Sequence, residues 1–407
     1  MTRGANDFAP LSGERPAAGD SPLVIIATNF REAGETGVHA HIEQWRRYLE
    51  QRGTSVRVVT PFSWNRALTY PVFSPRLVLK YVSQPASVIW YRYWHELFLR
   101  KALRQRLAQA GDCVVYAQGP SEAKAALRAR QGKHQRVIMA VHFRASQADE
   151  YAEPGREIKR GSAVFRAIRR LEREVIMQLD GLVYVSEWAR DALLKWLPEA
   201  AAVPSAVIGN AVAQVTGERP AVPYADLVTV GRLDAPKNHR FLLEVLAEAK
   251  SAGRRVTLDI FGDGPLRNDL KRRISELGLA EQVRLRGFRS DVRTFLPSYR
   301  AYVHASYLET SSFAIIEAMA AGLPIVAGDI GPISELCNDG VEARFWPLDS
   351  PSRAATILVE LLDSESALLA AGQASLKRFH SDFDVEVVGA RIRSFLLGTD
   401  ATDSIRH

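Results

Sequence analysis

The feature that most constrains the fold is a recurring unit: a short, continuous apolar run, a turn, then a stretch of helical sequence. Leu23 to Thr28 (LVIIAT) opens the series, a helix runs on to about Gln51, Gly53 stops it, and Ser55 to Thr60 (SVRVVT) follows. Apolar runs this short and without alternation suit strands buried on both faces, as in a parallel sheet covered by helices. The opening is therefore a βαβ unit with a right-handed crossover. Further strands are expected at Cys113 to Gln118, Val137 to His142, Gly181 to Ser186 and Ala206 to Ile208.

Gln214 to Tyr224 (QVTGERPAVPY) is polar and Pro-rich, the character of an interdomain linker. A second series of strands follows at Leu227 to Gly231, Val256 to Phe261, Val283 to Gly287, Ala301 to Ala305 and Pro324 to Ala327. A chain of 407 residues is also too long for one ordinary core. The expected fold is α/β: two doubly wound, Rossmann-like domains facing a central cleft, with ligand at the carboxyl ends of the strands. Residues 1–20, rich in Gly, Ala, Pro and Ser, are expected as a disordered lead. Residues 21–213 are expected to form the N-terminal domain and residues 214–383 the second.

Composition narrows the class. Hydrophobic residues make up 47% and charged residues 24%, as in a soluble globular protein. No run approaches the ~18 apolar residues that span a bilayer, and the first twenty residues lack a signal-peptide core. A cytoplasmic location is expected, peripheral at the inner membrane face. Cys113 and Cys337 stand far apart with no Cys/His cluster, which disfavours a disulfide framework or a zinc site. The net charge of +7 favours anionic partners, with nucleic acid, anionic lipid and sugar nucleotide all open.

From Arg66 to Ala110 the bases Arg66, Arg76, Lys80, Arg92, Arg100, Lys101, Arg104 and Arg106 face a single acid, Glu96. Tyr81, Trp90, Tyr91, Tyr93, Trp94 and Phe98 are interleaved with them, and a second basic stretch runs from Arg156 to Arg173. Bases with aromatic anchors suit an anionic membrane surface; the plainer alternative is a solvated face over an ordinary core. No nucleic-acid motif organises them, so nucleic acid is not expected as a partner.

The chemistry concentrates in Tyr307 to Val326 (YLETSSFAIIEAMAAGLPIV). Phe313 to Ala321 is apolar all round except for Glu317, which makes this a buried helix carrying a buried carboxylate. An ionised acid there costs several kcal/mol, roughly, unless donors or a cation satisfy it. Ser311 or Ser312 suits the N-cap, while Gly322 and Pro324 end the helix. Glu309 then lies at the strand-to-helix loop, beside free N–H groups that suit a phosphate. The plainer reading is an unseen cation paired with Glu317 and a solvated Glu309.

Other candidates lie at strand ends. VGRLDAPKN places Arg232 and Lys237 where two cations could clamp a diphosphate; the alternative is two surface charges. Gly262 in FGDGP, and Phe288 after Gly287, mark turns where backbone can approach a ligand. In the first domain Gly34 and Gly37 follow the first strand, and His142 ends VIMAVH, although a lone His is more often structural. There is no GxGxxG, so a dinucleotide site is disfavoured.

With these residues in view, the second domain resembles glycosyltransferase family 4, retaining transferases of the GT-B fold. The resemblance runs through Gly231-Arg232 with Lys237, FGDGP, VRLRGF, Glu309 and Glu317, and AMAAGLPIVAG. The first domain matches through the Gly37 loop, His142, VSEWARDAL and IGNAV. The resemblance implies that Arg232 and Lys237 bind the donor diphosphate, Glu317 the ribose and Glu309 the sugar. It implies His142 near the sugar and the Gly37 backbone near the phosphate, with Ser312, Phe313, Gly262 and Phe288 completing the donor site. Catalysis is assigned to Glu309, His142, Lys237 and Arg232, with no metal and no cofactor, and the resemblance implies that a last helix within 384–407 crosses back to join the first domain. Two departures stand out: Thr310-Ser311-Ser312-Phe313 follows Glu309 where many members have Phe-Gly, and a paired glycine is reduced to Thr36-Gly37.

The expected activity moves a hexose from a UDP- or GDP-sugar to a saccharide acceptor, lipid-linked, in exopolysaccharide or lipopolysaccharide synthesis. The alternatives are a sugar-nucleotide epimerase, a phosphorylase, or a basic nucleic-acid binder.

Overall fold

The computed structural model describes residues 22–31, 37–152, 158–214 and 223–399. The lead expected at 1–20, and most of the linker expected at 214–224, lie outside them. The chain divides into two compact units, one reaching Gly209 and resuming at Gly389, the other running from Asn210 to Val388.

In the first unit β1 (Leu23–Ala27), β2 (Ser55–Val59), β3 (Cys113–Ala117), β4 (Gln135–Val141), β5 (Gly181–Tyr184) and β6 (Ser205–Val207) form one sheet. Its order is β2-β1-β3-β4-β5-β6 and every pairing is parallel. Val24 to Ala27 are wholly buried, as a strand covered on both faces requires. Strand order reverses between β1 and β3, so Thr28 and Gln118, which follow those strands, leave the sheet at that point.

In the second unit β7 (Ala225–Val230), β8 (Leu258–Phe261), β9 (Val283–Gly287), β10 (Tyr299–His304), β11 (Ile325–Gly328) and β12 (Ala343–Trp346) pair in the order β12-β11-β10-β7-β8-β9, again all parallel. The direction of winding reverses between β7 and β10. An open α/β sheet places its ligand at such a switch point, outside the strands' carboxyl ends. Strand β12 was not expected from the sequence: it is four residues at the sheet edge with a half-buried centre, Arg344-Phe345, and carries no long apolar run.

The helix Val385–Leu397 passes from one unit to the other in sequence. Its start is tied into the second unit, where Val212 N–H donates to Phe383 O at 3.1 Å and Val385 N–H to Val212 O at 3.0 Å. Its later part belongs to the first unit, where Arg391 donates to Val207 O at 2.8 Å. A Cβ on Gly389 would fall 2.4 Å from the Tyr48 ring, so only glycine fits that approach.

Candidate active site

The switch point of the second sheet gathers the residues expected to meet the donor. The loop after β7 carries Gly231, Arg232 and Lys237, and the loop after β10 carries Glu309. They are stitched together where Ser306 Oγ–H donates to Pro236 O at 2.9 Å and Tyr307 N–H to the same oxygen at 3.2 Å. Asn238 is the non-glycine residue with positive φ among the described residues, at 51°; asparagine tolerates that conformation, and it turns the chain into the helix His239–Ser251.

Lys237 Nζ donates to Glu309 Oε1 at 2.5 Å, and His304 Nε2 donates to the same oxygen at 3.1 Å. The Glu309 side chain is 9% exposed, which corrects the solvated-loop alternative. Burial works to raise its pKa, but Lys237 and His304 outweigh it and hold the group at about 2. Glu309 is thus a carboxylate throughout the neutral range, with no hydrogen bond to Oε2 among the described residues. His239, buried beside Lys237 and His304, is pushed down to about 4, first by burial.

Glu317 lies one to two turns into the helix Phe313–Ala320 and behaves differently. Of the two ways expected to satisfy it, donors or an unseen cation, the second is found: among the described residues its ion-pair partner is Arg293, whose Nε stands 3.6 Å away, beyond hydrogen-bond range, so the expected hydrogen-bond donor is not there. Burial pushes its pKa up to about 7, with Arg293 opposing. The side chain keeps 19% exposure, so it is the partly accessible acid of the pair and is short of donors. Asp259 in β8 offers a contrast: fully buried, it is satisfied by Arg284 at 2.6 Å, Arg286 at 3.0 Å and Tyr299 Oη at 2.8 Å.

Ser312 occupies the N-cap of the helix Phe313–Ala320, as expected, but makes no side-chain cap bond, and Ser311 Oγ is buried without a partner. The first-turn N–H groups are therefore free of a side-chain cap. Arg232 pairs loosely with Asp234 at 3.2 Å and is largely exposed. Phe288 is half-exposed after Gly287, whose φ is 76°.

Gly262 has an immediate structural reason. At φ 134° a Cβ would fall 1.9 Å from Gly231 O, and one on Gly264 would fall 2.5 Å from Leu233 O. These glycines let the turn after β8 lie against the backbone of the loop that carries Arg232 and Lys237.

In the first unit His142 Nε2 donates to Gln118 Oε1 at 2.9 Å, and its ring lies edge-on to His41 at 4.4 Å. Burial first, then His41, holds its pKa well below 6.5, so it is a neutral imidazole whose Nδ1 accepts. Gly37 heads the helix Gly37–Gln51; Gly34 and Thr36 lie outside the described residues. Sequence reasoning missed His304, Arg293 and His239. The rule that singled out His142, a histidine ending an apolar strand, applies equally to His304 at the end of β10. Among the described residues no group of three His, Cys, Asp or Glu is placed to hold a metal, and no helix is long and apolar enough to cross a membrane.

The chain is similar to known proteins over both units. The profile of Glycosyltransferase Family 4 matches residues 36–213, and that of Glycosyl transferases group 1 matches residues 225–364, so most of the chain is covered. The alpha-D-kanosaminyltransferase of Streptomyces kanamyceticus is 33% identical over 36% of this chain and 37% of its own length. The phosphatidyl-myo-inositol mannosyltransferase of Mycobacterium leprae is 26% identical over 88% of this chain and 91% of its own. Several curated relatives are matched over only 36% to 41% of their length. The crystal structure of Anabaena HepE in complex with UDP and glucose superposes with a TM-score of 0.67 at 17% identity, covering 93% of this chain and 99% of that one. The chain belongs to glycosyltransferase family 4 and has the GT-B fold class of two Rossmann-like domains.

Proposed function

We propose that the chain is a glycosyltransferase of glycolipid or polysaccharide synthesis, moving a hexose from a nucleotide diphospho-sugar to a saccharide hydroxyl with retention of configuration. The observation that carries this reading is the Lys237–Glu309 pair at the switch point, beside a helix N-terminus that no side chain caps. A cation and unclaimed N–H groups suit a diphosphate. A carboxylate with one oxygen free suits sugar hydroxyls, and Glu317, short of donors, suits a ribose diol.

The reaction breaks the bond from the sugar's anomeric carbon to the diphosphate and forms one to the acceptor oxygen on the same face. The departing phosphate oxygen takes the acceptor's proton, and Arg232, Lys237 and the helix N-terminus stabilise its charge. With two cations and a helix end aimed at that charge, no metal is called for. The acceptor is proposed to bind the first unit, as a saccharide carried on a lipid. The mannosyltransferase named above, a relative over nearly the whole chain, is named for a lipid acceptor.

The test is a thermal-shift screen against UDP-, GDP- and ADP-sugars, followed by release of free sugar. A ligand that binds the native state alone raises the midpoint by mass action. One nucleotide giving a selective shift, with slow sugar release, is expected. No shift with any of them, from folded protein, overturns the reading; conversion of the donor to another sugar with no acceptor present makes it an epimerase.

A further inference from the structure

We propose that the helices Arg66–Phe73, Arg76–Val82 and Gln84–Leu107 form a face that docks the protein on the anionic headgroups of a lipid bilayer. The starting observation is three large side chains left in solvent: Val78 is 66%, Tyr81 91% and Val82 77% exposed. Their spacing of three and four residues puts them on one side of a single helix. Leu68, Ile89 and Tyr93 on the neighbouring helices are more than half exposed as well. An exposed apolar patch of this kind marks an interaction surface.

The exposure does not come from a helix group lacking a core. Phe73, Tyr91, His95 and Phe98 pack together beneath it, with Phe73 and His95 ring centres 4.1 Å apart, and Arg76 lies over the Tyr91 ring at 4.0 Å. Trp90 Nε1–H donates to Val72 O at 3.0 Å. So Trp90, Tyr91, Trp94 and Phe98, expected as membrane anchors, serve mainly to hold the helices together. The outward-facing set is Val78, Tyr81, Val82, Ile89 and Tyr93.

Charge selects the partner. From Arg66 to His95 the sequence has no Asp or Glu, and Glu96, the first acid, is buried against Lys124 at 2.8 Å. On the long helix Ile89, Tyr93, Arg100 and Arg104 follow one another at spacings of four and seven, a single ridge that is apolar first and cationic after. A protein partner would have to be acidic and apolar at once. A headgroup layer is both, with phosphates above and acyl chains below. None of these helices is apolar enough to span, so the contact is interfacial.

Flotation of the full chain with vesicles tests this without turnover, so its failure leaves the transferase reading standing if donor binding is intact. Vesicles of phosphatidylcholine alone are compared with vesicles holding about one third phosphatidylglycerol. The protein is expected to float with the anionic vesicles only and to be released by about 0.5 M salt, where screening is nearly complete. Val78→Ser, Tyr81→Ser and Val82→Ser combined should cut the bound fraction by about tenfold or more, as loss of three apolar contacts implies, with the melting midpoint and donor shift unchanged. The inference is overturned if the wild type stays down with anionic vesicles, floats equally with neutral ones, or if the triple variant floats like the wild type. It is also overturned if light scattering shows a dimer that the triple variant abolishes, which makes the face a contact between copies.

Discussion

Lys237 Nζ lies 2.5 Å from Glu309 Oε1, so the cation that suits a phosphate and the acid that suits a sugar hold each other. Lys237 and His304 together keep Glu309 ionised although burial opposes it. In the proposed reaction a diphosphate would offer Lys237 a second anion without leaving Glu309 unpaired, because His304 also donates to Oε1.

Removing one member of this pair is expected to cost more than removing both. Lys237→Ala leaves a carboxylate with only His304, and breaking a buried pair on one side costs about 3–5 kcal/mol. Denaturant melts of Lys237→Ala, Glu309→Gln and the double variant should give a coupling of roughly 1–3 kcal/mol. Additive effects would show that the pair is not coupled. Transfer should fall at least ~100-fold in each single variant, as for loss of a group that stabilises developing charge. Because Glu309 is held at about 2 against an ordinary 4.5, its stabilising contribution is present above pH 4.5 and is lost as pH falls from there toward 2.

In the proposed reaction His304 acts on the sugar through Glu309, as a positioning residue. Gln at 304 can still donate to Oε1, whereas Leu fills the space without a donor. His304→Gln is expected to retain most of kcat and His304→Leu to lose about tenfold or more, the scale of a lost hydrogen bond to a charge. Equal loss in both would mean that the ring is needed for packing alone.

Glu317 titrates near neutrality. Its pKa of about 7 lies above the ordinary 4.5, so protonation favours the native state: its contribution is full below pH 4.5 and is lost as pH rises through 7. A ribose diol needs the ionised form as acceptor. The donor KM should therefore rise as pH falls below 7, with kcat much less affected, and Glu317→Gln should abolish that dependence while weakening donor binding. A donor KM flat from pH 6 to 8 in the wild type, at a probe range of about one unit either side of the transition, counts against the assignment.

Gly262→Ala places a methyl 1.9 Å from Gly231 O at a φ of 134°. Both the clash and the backbone conformation oppose it, at about 1–3 kcal/mol for the conformation alone. Because the displaced backbone carries Arg232 and Lys237, donor affinity should fall along with the melting midpoint. Gly253→Ala, also at positive φ but with nothing within 4 Å, is the control: it should lower stability and spare the donor.

Much of this was legible in the chain. Runs such as LVIIAT and VIMAVH are strands because nothing polar interrupts them, and their alternation with helical sequence leaves few arrangements other than parallel sheets. Glu317 announced itself as an acid in an apolar helix, and Glu309 as an acid at a strand-to-helix loop. Strand β12 gave no such signal, since an edge strand of four residues is half in solvent and needs no apolar run.

The sequence by itself determined the fold class and the family and singled out Glu309, Glu317, Arg232 and Lys237 as candidates, because periodicity and local motif are properties of neighbouring residues. Only the tertiary structure decided how those side chains are satisfied. Lys237 and Glu309 lie 72 positions apart and meet because β7 and β10 are adjacent at the switch point. Arg293 reaches toward Glu317 without bonding to it, and that shortfall, together with burial, moves one acid to about 7 while the other stays at about 2. A charge's environment is set by contacts between segments remote in sequence, and no periodicity records them.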